Sequence, residues 1–190
     1  MCGIFGAVSS SEIQHSLING LSRLEYRGYD SAGISLMTGS EKIKRVRCVG
    51  KVKNLKKILN ASKSSGYCGI AHTRWATHGQ PILKNSHPHN SYKVSIVHNG
   101  IIENSEELKS FLKKRSYKFT SDTDSEVIAH LFSHYAKNAG SSIQAMKEVT
   151  KKLKGSFAIA AICERWPEQL LAACNGSPLL IGTKKGSNFI

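Results

Sequence analysis

Met1-Cys2-Gly3-Ile4-Phe5-Gly6 opens the chain, and its second residue decides how the remainder is read. If the initiator Met1 is removed, Cys2 becomes the terminus and one residue carries both a thiol and a free α-amine. A thiol has a reference pKa of about 8.5 and an α-amine about 7.7–8.0. The amine is therefore partly neutral near pH 7 and can serve, through one water, as a base toward the sulfur beside it. Gly3 and Gly6 leave the backbone bare, while Ile4, Ala7 and Val8 supply a strand that anchors the nucleophile. A plainer reading, a small buried cysteine that happens to sit second, is equally open from the hexapeptide alone.

Working outward, the apolar pattern alternates between the two periods. Cys2–Val8 reads as a strand. Ser11-Glu12-Ile13-Gln14 has the form of a capping box, and Ile13, Leu17, Leu21 and Leu24 make one helical face ending near Tyr26. Ile34–Met37 and Ile43–Val49 read as a hairpin around Thr38-Gly39-Ser40. Leu55, Ile58 and Leu59 mark a short helix. Tyr67–Thr73 is a strand leading into a polar loop, Arg74–Asn90. Val94, Ile96 and His98 alternate into Asn99-Gly100, a strong hairpin signal, with Ile101-Ile102 resuming the strand. Asn104 with Glu107, and Thr123 with Glu126, announce two capped helices; Ser141–Leu153 is a third. Phe157–Cys163, Leu170–Cys174 and Leu179–Ile181 close the chain as apolar strands. Strands in runs and helices in groups, without regular βαβ alternation, imply antiparallel sheets covered by helices.

At 190 residues with 40% hydrophobic content and only four prolines, the chain is long enough for one well-buried globular domain. Its longest apolar runs are too short to cross a bilayer, and no charged-then-apolar leader opens it. Five cysteines, an odd number with no Cys-x-x-Cys pair, suit a reducing cytoplasm. The formal net charge of +14 could signal a nucleic-acid partner. The lysines, however, interleave with apolar residues in helix-like stretches (Lys51–Lys57, Lys109–Lys118, Lys147–Lys154), which is the placement of solvated helix faces. No nucleic-acid partner is expected, and the positive field suits anionic metabolites.

The loop after Thr73 gathers chemistry: His72-Thr73-Arg74-Trp75-Ala76-Thr77-His78-Gly79 packs a cation, hydroxyls, imidazoles and an indole together. A small zwitterion needs a guanidinium for its carboxylate and an anion for its ammonium, and Arg74 and Asp124 can supply them. Asp124 is equally explained by favourable placement in the first turn of a helix. Metal binding finds little support. His72, His78, His87, His89 and His98 cluster in sequence, which suits hydrogen bonding within the loops; His130 and His134 fall one helical turn apart but lack the glutamate of a metalloprotease motif, and no cysteine stands at ligand spacing. Neither metal nor cofactor is expected.

Cys2-Gly3-Ile4-Phe5-Gly6, Tyr26-Arg27-Gly28-Tyr29-Asp30-Ser31-Ala32-Gly33, His72–Gly79, His98–Asn104, Thr123-Asp124-Ser125-Glu126 and Gly176-Ser177-Pro178-Leu179 together resemble, in order, the glutaminase domain of class II glutamine amidotransferases. The resemblance implies an α+β fold of the N-terminal nucleophile hydrolase type, a four-layer α/β/β/α sandwich of two mainly antiparallel sheets flanked by helices. It implies hydrolysis of L-glutamine by Cys2 through a thioester. Asn99 and Gly100 would form the oxyanion hole, and Arg74, Thr77, His78 and Asp124 the amino-acid clamp. Arg27 and Gly28 would position the terminal amine, and Trp75 would be the lid at the ammonia exit.

Glu25–Gly33 and Arg74–Gly79 are most similar to members whose glutaminase module is joined to sugar-isomerase domains binding fructose 6-phosphate. Amidophosphoribosyltransferase-type members vary those two segments. By the same resemblance residues 1–190 form one glutaminase domain, expected to be truncated at its C-terminal end, without the isomerase domains and with an apolar sheet edge left open. A catalytically silent regulatory or binding fragment is the competing expectation. Composition leaves the oligomeric state open, a homodimer included.

Overall fold

The computed structural model describes residues 2–62, 65–75 and 79–190. Ten strands and five α-helices run in the order β1 (Gly3–Ser9), α1 (Gln14–Leu24), β2 (Ser31–Met37), β3 (Ile43–Val49), α2 (Val52–Ser62), β4 (Cys68–Arg74), β5 (His89–Ser91), β6 (Val94–Gly100), α3 (Ser105–Lys113), α4 (Glu126–Ala136), α5 (Ser142–Lys152), β7 (Phe157–Cys163), β8 (Trp166–Asn175), β9 (Gly182–Lys184) and β10 (Ser187–Phe189). One sheet has the order β3-β2-β4-β1-β10-β9 and the other β5-β6-β7-β8. Every strand pairing within them is antiparallel.

Three apolar clusters show how the layers stack. Leu17, Leu21, Leu55 and Leu59 from α1 and α2 meet Ala7, Ile34, Leu36 and Ala71 on one face of the first sheet. Val127, Leu131 and Phe132 of α4, with Leu108, Leu112 and Val149, meet Ile96, Ile159 and Ala161 on one face of the second. Met37, Cys68, Ile70, Val97, Ala160 and Ile162 fill the space between the sheets. The result is an α/β/β/α sandwich. Strands β2, β4 and β7 are buried at all seven positions because both of their faces are covered.

Side chains alternate along a strand, so β4 sends Cys68 and Ile70 toward the other sheet and Ala71 toward the helices. His72 and Arg74 continue the inward series. Pairing of Gly3 with Thr73, and of Ser31 with Arg74, brings the start of β1 and the end of β4 to the same rim of the sandwich. No helix among the described residues is long and apolar enough to span a membrane.

Several local expectations are corrected. Asn99-Gly100 is no hairpin turn: both residues remain in β6, opposite Ala158 and Phe157, and the strand ends there instead of resuming at Ile101-Ile102. The capping boxes at Ser11, Asn104 and Thr123 are not formed. Helix α1 starts at Gln14 without a side-chain cap. Asn104 instead donates to the Lys152 carbonyl at 2.9 Å and accepts from the Lys154 N–H at 3.0 Å. Helix α4 starts after Ser125, and the Glu126 carboxylate takes the Thr120 and Ser121 N–H groups, not that of Thr123. Ser141, at the start of α5, does cap its own helix, accepting the Gln144 N–H at 3.2 Å. The polar loop 74–90 contains a short 3-10 turn and leads into β5. Leu179–Ile181 is not a strand; Leu180 and Ile181 are 84% and 74% exposed, and the strand begins at Gly182.

Candidate active site

The sheet rim built by β1, β4 and β6 collects the chemistry. Cys2 lies just before β1, and its Sγ sits 3.2 Å from the donating Trp75 N–H and 3.5 Å from the Trp75 carbonyl. Burial pushes the Cys2 thiol up, and the Trp75 N–H and the nearby Arg74 guanidinium oppose it. Asn99, one strand over in the second sheet, donates from Nδ2 to the Cys2 carbonyl at 3.2 Å. Its Oδ1 faces His72 Nε2 at 2.9 Å. Met1, and with it the terminal amine, lies outside the described residues, as do Thr77 and His78.

A polar pocket opens between these groups and the loop before α4. Cys2, Arg74, Trp75, Asn99, Gly100 and Asp124 all line it, with His87, His98, Thr123 and Ser125 behind. Arg74 is 4% exposed, its guanidinium donating to the Gly79 carbonyl at 3.1 Å and the Gln80 carbonyl at 3.3 Å. Those bonds orient the cation and fold the loop over it. Asp124 accepts the Ile102 N–H at 2.8 Å and the Ser125 hydroxyl at 3.3 Å. Its carboxylate is thus engaged by the chain after β6 and by Ser125, the residue that opens α4, so Asp124 stands at the entrance of that helix and not within its first turn. Because the Ser125 proton goes to Asp124, His98 donates from Nδ1 to Ser125 Oγ at 2.8 Å. Burial lowers the His98 pKa to about 4, with Asp124 pulling the other way.

Arg27 and Gly28 reach the site from the segment after α1. A Cβ on Gly28 would come within 2.8 Å of the Arg74 carbonyl carbon, so glycine is what lets this segment lie on the backbone of Arg74 and Trp75. Arg27 borders, with Cys2 and Asn99, a separate groove of about 550 Å³ that runs toward Leu179 and Ile190. That groove is mostly apolar, with Arg23 and Arg27 its cations and no carboxylate side chain; the cation–anion pair for a zwitterion, Arg74 and Asp124, is in the smaller pocket. Trp75 is 44% exposed at the rim, its indole edge-on to Tyr29 at 5.5 Å.

Other residues hold the site in place, and apart from the clustered histidines the linear pattern gave no signal for them. Arg47 of β3 donates to the Ser86 carbonyl at 2.6 Å and Arg45 to the Pro88 carbonyl at 3.2 Å, pinning the loop that bears His87. Asn85, fully buried, bonds the Asp122 N–H at 2.9 Å and so ties that loop to the one bearing Asp124. His89 Nε2 reaches Thr123 Oγ1 at 3.1 Å. These contacts span more than thirty residues, and only the folded chain reveals them. Among the described residues no group of three or more His, Cys, Asp and Glu is arranged to hold a metal ion.

Gly100 carries the sharpest steric requirement. Its φ is +124°, and a Cβ there would lie 2.0 Å from the Ser156 carbonyl oxygen. Gly100→Ala is expected to destabilise the protein by about 3 kcal/mol or more in urea unfolding. Gly39→Ala, where an added Cβ meets nothing within 4 Å, should fall within about 0.5 kcal/mol of the parent. Equal midpoints for the two variants would contradict the geometry.

Residues 70–190 match the glutamine amidotransferase domain family. The whole chain is 50% identical to the glutamine–fructose-6-phosphate aminotransferase [isomerizing] of Haemophilus influenzae and 52% identical to that of Acinetobacter baylyi, and it spans 31% of each. The chain thus covers about a third of the length of these relatives. Among solved structures, the glutamine phosphoribosylpyrophosphate amidotransferase from B. subtilis superimposes with a TM-score of 0.81 at 27% identity, over 100% of this chain and 41% of that one. A glutamine aminotransferase class-II domain protein from Silicibacter pomeroyi shares the fold, with a TM-score of 0.61 at 14% identity, over 98% of this chain and 87% of the other. An antiparallel α/β/β/α sandwich with a cysteine at the head of its first strand, matched over more than half its length by one family, leaves a single assignment: this chain belongs to the glutamine amidotransferase domain family.

Proposed function

We propose that this chain hydrolyses L-glutamine to glutamate and ammonia with Cys2 as nucleophile. Joined to the further domains that its relatives possess, it would supply that ammonia to fructose 6-phosphate. The observation that supports this best is the convergence of Cys2, Arg74, Asn99, Gly100 and Asp124 on one pocket from separate segments. Arg74 offers a buried cation for the substrate α-carboxylate and Asp124 an anion for its α-ammonium. With both ends held, the side-chain amide is directed toward Cys2.

The chemistry then balances as follows. The Cys2 thiol gives its proton to the α-amine freed by loss of Met1, and Sγ bonds to the amide carbon. The carbonyl oxygen becomes an oxyanion, which the Asn99 Nδ2 and the Gly100 N–H stabilise. Asn99 has two N–H protons on Nδ2; one is engaged by the Cys2 carbonyl and the other is left for this role. The ammonium of Cys2 protonates the departing nitrogen, ammonia leaves, and a thioester remains. Water attacks that thioester, with the same amine taking and returning its proton, and glutamate is released.

The test is ammonia and glutamate release from L-glutamine by protein whose mass shows that Met1 is absent. Equal amounts of both products are expected. Protein with a free Cys2 terminus and no turnover would defeat the reading. The clamp is tested separately by Asp124→Asn, which keeps an acceptor for the Ile102 N–H but removes the charge. It is expected to raise KM for glutamine about 10- to 100-fold, the worth of one charged hydrogen bond, with a smaller effect on kcat. An unchanged KM would remove Asp124 from the clamp.

A further inference from the structure

We propose that His72 is a positioning residue that fixes which end of the Asn99 carboxamide faces Cys2. This rests on the glutaminase reading above, in which Asn99 Nδ2 must point at the oxyanion.

The two ends of an asparagine amide are nearly the same size, so packing alone does not choose between them. A half-turn would place Oδ1 beside the nucleophile, where it would repel the developing charge that Nδ2 attracts. The Cys2 carbonyl, 3.2 Å away, can only accept, and so prefers Nδ2 toward itself. That contact is with the very residue that must react, however, and cannot by itself hold the amide through turnover. The other end of the amide meets His72 Nε2 at 2.9 Å. Oδ1 can only accept, so His72 must carry its proton on Nε2. Nδ1 is then bare, and it is buried without a hydrogen bond of good geometry from any described residue. The opposite tautomer would set two lone pairs against each other at Asn99, a cost the Nε2-protonated ring avoids.

The ring is placed to act as a fixed donor. His72 is 1% exposed and stacks on His87 with centroids 4.1 Å apart and planes 33° from parallel. His87 meets His89 edge-on at 4.5 Å, and His89 is anchored to Thr123. Burial lowers the His72 pKa to about 3, with the hydrogen bonds to Asn99 and the His98 backbone pulling the other way, so the ring stays neutral in working conditions. Since Thr123 precedes Asp124, the stack also links the amide that binds the oxyanion to the loop that binds the substrate ammonium.

The experiment compares His72→Leu with His72→Gln, whose side-chain amide nitrogen can take the place of ring Nε2. His72→Leu is expected to lower kcat for glutamine hydrolysis about 30-fold or more, with KM within about twofold of the parent. His72→Gln should recover activity to within about fivefold. In an Asn99→Ala background, His72→Leu should cost little more, because the amide it orients is gone. A loss of the same size in that background, a change in KM without kcat, or a glutamine variant no better than leucine would each overturn the proposal. A readout on the unsubstituted protein avoids any failure to fold: nitrogen NMR of the His72 ring should show Nε2 protonated and Nδ1 bare from pH 8 to pH 5. An Nδ1-protonated ring would equally overturn it. If the parent protein releases no ammonia, the glutaminase reading falls, whereas the NMR result still reports on the His72–Asn99 bond.

Discussion

Cys2→Ala is expected to lower ammonia release from glutamine on the order of 10⁴-fold or more and leave the fold intact. The size follows from removing the atom that bonds to substrate, a loss that no remaining group can make good. The intact fold follows from the surroundings of Sγ, whose hydrogen-bond contacts are with the backbone of Trp75. No other thiol is equipped to substitute. Cys48, Cys68 and Cys163 are buried in the apolar clusters, and burial pushes the Cys68 thiol up to about 12. Cys174 is exposed on β8, away from the pocket. Cys48→Ala and Cys68→Ala should therefore retain activity. The check is a glutamine-hydrolysis assay beside a thermal melt for each variant. Parental turnover by a correctly folded Cys2→Ala protein would falsify the nucleophile.

Acidification from pH 7 to pH 5 is the second large effect. His72, His87, His89 and His98 are all buried, and burial lowers every one of their pKa values: to about 3 for His72 and His89, to about 4 for His98, and well below the usual range for His87. In the unfolded chain each returns to about 6.5. As pH falls, the unfolded state therefore binds protons first. The stability these rings contribute is full above about pH 6.5 and is lost as pH falls toward the folded values. One such ring costs about 2 kcal/mol between pH 7 and pH 5, and the set together on the order of 5 kcal/mol or more, a large part of a typical folding free energy. Glu126 does not offset this, because hydrogen bonds from His130, Ser121 and Thr120 outweigh its burial and hold its carboxyl below the usual range, outside the window. Melting temperature should drop by about 10 °C or more over these two pH units. Among the described residues His87 has no hydrogen-bond partner on either ring nitrogen, so His87→Leu should reduce proton uptake on unfolding by about one. A melting temperature constant from pH 7 to pH 5 would rule this out.

Antiparallel sheets covered by helices were legible because their causes are local, whereas the four-layer stacking came from the family resemblance. The all-apolar run Phe157–Cys163 and the alternating pattern around Val94–His98 are both strands, the second buried on both faces and not on one. Helix faces at Leu17/Leu21 and Leu55/Leu59 point into the core as their spacing requires. Helix starts were less legible, because a cap is only one of several uses for a polar side chain. Asn104 is drawn to the end of α5 at Lys152 and Lys154, nearly fifty residues away, and no local pattern announces that competition. Asn99-Gly100 misled for a related reason. The dipeptide carries the positive φ of a turn, but β7 supplies a continuous partner strand, and the glycine's freedom is used to clear Ser156. Of the candidate site, Cys2, Arg74, Asn99, Gly100 and Asp124 were named from the sequence and meet in one pocket. The supports at Asn85, Arg45, Arg47 and the histidine stack depend on which loops fold against one another, and so emerged only in three dimensions.

His72 and Arg74 reach the pocket from one strand at two-residue spacing, and the pairing of β4 with β1 and β2 fixes which face they occupy. Sliding β4 by a single residue would turn both toward the helices and offer Ala71 and Thr73 in their stead. A mispaired sheet could still bury much of its greasy surface, yet it would present a methyl and a hydroxyl where a guanidinium and an imidazole belong. On the proposed glutaminase reading, turnover of substrate would audit the alignment of the central strand, and a purified sample's specific activity would report the fraction of molecules whose sheet has assembled in step.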